Sequence, residues 1–62
     1  MSTYSVLASI AHSTPVASKV SMQRAKEIVD LLKECAAVEW VAVMCHTNDG
    51  MTILVHCWQR GK

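Results

Sequence analysis

The stretch over residues 40–58, WVAVMCHTNDGMTILVHCW, most constrains what this chain can fold into. Two runs rich in β-branched and aromatic residues flank Thr47-Asn48-Asp49-Gly50, whose turn formers read as the bend of a β-hairpin. The register then decides which residues share a face. A type I turn over Asn48 and Asp49 with Gly50 left-handed pairs Thr47 with Met51, Cys45 with Ile53, Val43 with Val55 and Val41 with Cys57, a continuous apolar face. The other face then pairs His46 with Thr52, Met44 with Leu54, Ala42 with His56 and Trp40 with Trp58. A two-residue Asp49-Gly50 turn instead sets Val43 against His56 and Val41 against Trp58, mixing a histidine into the apolar set. The first register is preferred because burial of one face specifies register strongly.

The remaining chain supplies one strand and one helix. Residues 3–11, TYSVLASIA, place Tyr4, Val6, Ala8 and Ile10 on one side and Ser5, Leu7, Ser9 and Ala11 on the other, the period of a strand. Residues 12–19, HSTPVASK, gather Ser, Thr and Pro and read as a loop. A helix starts near Ser21, or at the rival cap Ser18, with Met22, Ala25, Ile28, Val29, Leu32, Cys35 and Ala36 on an apolar face. Gln23, Lys26, Glu27, Asp30, Lys33 and Glu34 lie opposite, a solvated face.

The expected fold is therefore α+β, in the order β-α-β-β: a three-stranded antiparallel sheet with one amphipathic helix packed on one face. The last strand, residues 51–59, is the most continuously apolar, which places it in the middle, between the first strand and the strand of residues 40–46. The helix covers the face carrying Val41, Val43, Cys45, Ile53, Val55, Cys57, Tyr4, Val6 and Ile10, and nothing is left to cover the other. In size and element order, though in no motif, the chain resembles a truncated ferredoxin-like half.

Sixty-two residues make a single domain with a thin core, yet 52% are apolar and 18% charged. A chain this short buries only ~60% of its unfolded surface, so part of the apolar surplus is expected to meet another protein. A net charge of +1, with six Lys and Arg among five acids, argues against nucleic acid. No run approaches the ~18 apolar residues of a membrane span and no basic leader opens the chain, so a cytoplasmic protein is expected. An odd count of three cysteines argues for reduced, packed thiols.

Cys45-His46 and His56-Cys57 have the ligand types of a zinc site, but adjacent strand residues point to opposite faces and the two Cys would stand ~13 Å apart. His12 with Cys35, Cys45 or Cys57 supplies the types for nucleophilic catalysis without a recognisable arrangement. Aromatics on an open sheet suggest RNA-stacking modules, whose basic and glycine-containing strand motifs are missing here. No catalytic, cofactor-binding or metal-ligating set is expected.

The strongest functional claim belongs to the uncovered face, where Trp40, Met44, His46, Leu54, His56 and Trp58 are expected together as a partner-binding surface. The reading is a non-enzymatic protein-binding module acting by surface occlusion. Its narrower form is a small phage or mobile-element inhibitor of a host protein complex, such as an anti-CRISPR, and the competing reading is a homodimer that buries its open sheet faces against each other.

Overall fold

The computed structural model describes residues 2–11 and 14–61. Its elements are β1 (Thr3–Ala8), β2 (Ala17–Val20), α1 (Met22–Lys33), β3 (Trp40–His46) and β4 (Thr52–Gln59). They form one four-stranded sheet in the order β2-β1-β3-β4, with every neighbouring pair antiparallel. The class is the expected α+β with a single helix. The strand number and order are corrected.

The added strand is β2, inside the segment read as a loop. Val16 donates its backbone N–H to Val6 O at 2.7 Å, and the chain then pairs Ala17 with Val6 and Val20 with Tyr4 across a register shift. Lys19 absorbs that shift in a left-handed backbone, φ 56°. Polar composition marked the bend but hid the strand, because four residues at a sheet edge need no apolar periodicity.

The second correction concerns the middle of the sheet. β3, not the C-terminal strand, is central: Val41, Val43 and Cys45 are buried on one side, between β1 and β4. β4 is an outer edge. Its continuous apolar run suggested two-sided burial, but no Cα of α1 comes within 8 Å of a Cα of β4.

The helix begins where expected. Ser21 takes an extended backbone as the N-cap and its hydroxyl accepts the Arg24 N–H at 3.2 Å, satisfying one of the donors a first turn leaves open. It ends earlier than the apolar spacing implied: Glu34 is the C-cap, so Cys35 and Ala36 lie beyond it and are exposed. The Glu34 and Cys35 N–H groups take Leu31 O and Leu32 O, and Arg60 takes the carbonyl of Lys33 and two in the connection beyond it. Its guanidinium donates to Lys33 O at 3.1 Å, Cys35 O at 2.8 Å and Val38 O at 2.9 Å, a fork that a lysine could not supply.

The core is small in both senses. It comprises Val6, Ala8, Ala25, Val29, Val38, Val41 and Val43, and its largest fully buried side chains are valines. Val38, in the connection between α1 and β3, is completely buried. Ile10, expected to face the helix, lies in a turn past the end of β1 and is exposed.

Candidate functional site

The hairpin realises both registers, one after the other. At the turn, Gly50 takes φ 89°, its N–H reaches Thr47 O at 3.1 Å, and Thr47 N–H reaches Met51 O at 2.9 Å. Thr47 clamps the bend by donating its hydroxyl hydrogen to the Asp49 carboxylate while accepting the Met51 N–H at 3.1 Å. That bond, with further backbone donors, holds the Asp49 carboxyl below its ordinary range. From here His46 pairs with Thr52, Cys45 with Ile53 and Met44 with Leu54, the preferred register. A bulge then inserts Val55, and beyond it Val43 pairs with His56, Ala42 with Cys57, Val41 with Trp58 and Trp40 with Gln59.

One inserted residue reverses the facing of everything after it. His56 and Trp58 therefore lie on the helix side with Val43 and Val41, and Cys57 moves to the open side with Ala42. The expected Trp40-Trp58 pair does not form. Of the six expected partner-binding residues, Trp40, Met44, His46 and Leu54 share the open face, while His56 and Trp58 do not. Alternation alone could not show this, because no glycine or proline marks Val55 as a bulge.

Trp58 is half-buried against the core and carries two cations over its ring, Arg60 at 5.0 Å and Lys33 at 5.8 Å. Its work is structural. With Arg60 pinned to the end of α1, it ties β4 to a helix that otherwise does not reach the strand.

The open face keeps two large exposed side chains, Trp40 and Leu54, with Met44 and His46 half-buried beside them. His46 is held in place: Nε2 meets Ser5 Oγ at 2.6 Å and Nδ1 meets Thr52 Oγ1 at 3.2 Å. A hydroxyl, an imidazole and a second hydroxyl in line have the parts of an activated nucleophile. Ser5, however, is only 5% exposed, so its hydroxyl is closed off from an incoming substrate. The array reads as a polar cross-strand contact fixing the imidazole.

On the helix side a groove of about 320 Å³ runs between α1 and β4, lined by Ala25, Val29, Val43 and Val55 with Lys26 and His56. It exists because the helix packs on β1, β2 and β3 and leaves β4 bare.

The thiols divide. Cys45 is buried beside Tyr4, whose phenol is pushed up by desolvation and further by Cys45, whereas Cys35 and Cys57 are exposed rather than packed. Among the described residues no group of three or more His, Cys, Asp or Glu could hold a metal ion. His12 lies outside the described residues. No described helix is long and apolar enough to cross a membrane. No protein-family model, curated protein or solved structure matches the chain.

Proposed function

We propose that the chain is a non-enzymatic protein-binding module that works by covering part of a partner's surface with its open sheet face. One observation carries the reading. The core is built of valine and alanine, while larger apolar side chains stay outside, and two of them stand on the open face: Trp40, 36% exposed, and Leu54, 54%. A scattered exposed apolar residue is ordinary, but a cluster on one strand and its neighbour is the mark of a contact surface.

On the open face, Trp40 and Leu54 are the anchors, and the fixed His46 and half-buried Met44 form the ground around them. The narrower form, an inhibitor of a host protein complex encoded by a phage or mobile element such as an anti-CRISPR, has the small size and compact build of the chain as its support. The test uses Trp40→Ala with Leu54→Ala in the full chain, checked for a native circular dichroism spectrum, then capture of partners from the native host. Binding should fall by roughly 30-fold, the worth of a ~2 kcal/mol anchor. Undiminished capture by the folded double variant would remove the open face as the site.

A further inference from the structure

The outer edge of β4 is self-complementary, and the geometry points to a second copy of this chain as its occupant, paired antiparallel about a twofold axis that passes through the bulge. Backbone parity makes it so. The bonds Thr47 N to Met51 O and Arg60 N to Glu39 O fix which backbone groups of the hairpin point inward at each end. Stepping by two from each, Ile53, His56 and Trp58 face β3, so the N–H and C=O groups of Thr52, Leu54, Cys57 and Gln59 face outward.

In a regular strand, Leu54 and Cys57 would stand on opposite faces, as any residues three apart do. The bulge at Val55 puts both on the open face and turns both backbones outward. The edge thus reads the same from either end. An antiparallel copy sets Leu54 against the partner's Cys57 and Thr52 against the partner's Gln59, all on the open face, and Ile53 against the partner's Trp58 on the helix face. A bulge commonly blunts an edge, but here each copy brings the same bulge to the axis and the ladders on either side stay in register.

Charge and size support a second copy over an unrelated strand. β4 is eight residues long and contains no Asp, Glu, Lys or Arg, so it meets itself without repulsion and offers a foreign strand no charge to recognise. An edge ~27 Å long and ~10 Å thick gives two copies on the order of 800–1,000 Å² in all, the low end of specific interfaces. The dimer is accordingly a micromolar one that dissociates on dilution. It joins two four-stranded sheets into one, with both helices on the same side and both open faces left free on the other. This differs from the face-to-face dimer that the sequence suggested, and it holds whether or not the open face binds a further protein.

Sedimentation of the full chain over about 1–200 μM tests it, alongside Thr52→Lys/Gln59→Lys and Thr52→Lys/Gln59→Glu. The first pair sets like charges opposite each other across the axis and should weaken the dimer roughly tenfold or more; the second sets opposite charges there and should restore it. Within one chain these positions are too far apart along β4 to interact, and both variants carry the same Thr52 change. Leu54→Cys in a Cys35→Ser background should also form a disulfide between copies at Cys57, since hydrogen-bonded partners lie ~5.5 Å apart at Cα. A wild-type chain that stays monomeric throughout, or a dimer indifferent to both charge pairs and to oxidation of Leu54→Cys, would overturn the proposal.

Discussion

The two edges of the sheet are built on opposite plans. β2 is four residues long, carries the charge of Lys19, takes a left-handed backbone there and shifts register against β1. Pro15, which has no N–H to offer, stands just before it. These are the devices by which a sheet edge is kept from pairing with other chains. β4 is twice as long and uncharged, and it exposes Ile53, Leu54 and Val55 in succession. The contrast is the reason both proposed contact surfaces lie at the β4 end of the sheet.

The comparison breaks most severely if β4 loses its tie to the rest of the molecule. Trp58→Ala removes the ring that packs on the core and sits beneath Arg60 and Lys33. Complete burial of such a ring is worth ~3–5 kcal/mol, and its partial burial here suggests about 2–4. In a domain this small that is a large share of the total. Urea unfolding should show the loss, with amide exchange of β4 accelerated more than that of β1 and β2. Trp40→Ala, on the open face, should cost under ~1 kcal/mol. Equal costs for the two would contradict their placement on opposite faces.

That pair of tryptophans also shows what the sequence could and could not disclose. Turn chemistry is local, so Asn48-Asp49-Gly50 gave the bend and the first three rungs correctly, and Ser21 gave the helix start. The bulge is not local. Val55 fits a regular strand, and it is displaced because the outer half of the hairpin must bring Trp58 rather than Cys57 under Arg60 and against Val41. Edge position was hidden for a related reason. An apolar run says that burial is wanted, without saying whether the same chain provides it, and in β4 it does not. β2 went unseen because its pairing rests on backbone bonds to β1, to which Ser18 and Lys19 contribute no pattern.

The protected edge can be sharpened by a smaller change. Lys19 holds φ 56°, a conformation that costs a side-chain-bearing residue ~1–2 kcal/mol, whereas glycine adopts it freely at an entropic cost of ~0.5–1. Lys19→Gly should therefore stabilise the fold by about 0.5–1 kcal/mol, raising the thermal midpoint by roughly 2–8 °C. Lys19→Ser, which drops the charge but keeps the strain, should not. If both variants melt like the parent, the backbone at Lys19 is not strained and Lys19 guards the edge by its charge alone.

The smallest effect concerns the turn that sets the inner half of β4. The hydroxyl of Thr47 donates to the Asp49 carboxylate and lowers its pKa from the ordinary 3.8. Because the folded value lies below the unfolded one, the contribution is complete above the unfolded pKa and disappears as pH falls through the folded value. In Thr47→Ala the Asp49 carboxyl should titrate closer to 3.8, as followed by the carbon shift of its side chain in an NMR pH titration. More is at stake than one proton. The competing two-residue turn would pair Asn48 with Met51 and run straight into the outer register of Val43 with His56, with no bulge needed and Leu54 turned toward the helix. Thr47 favours the three-residue turn, and that choice makes the bulge necessary, keeps Leu54 on the open face and gives the β4 edge its symmetry. Shifts at Leu54 and Val55 that follow the Asp49 titration in the wild type would show the turn and the edge moving together, and a Leu54 signal indifferent to Asp49 would separate them.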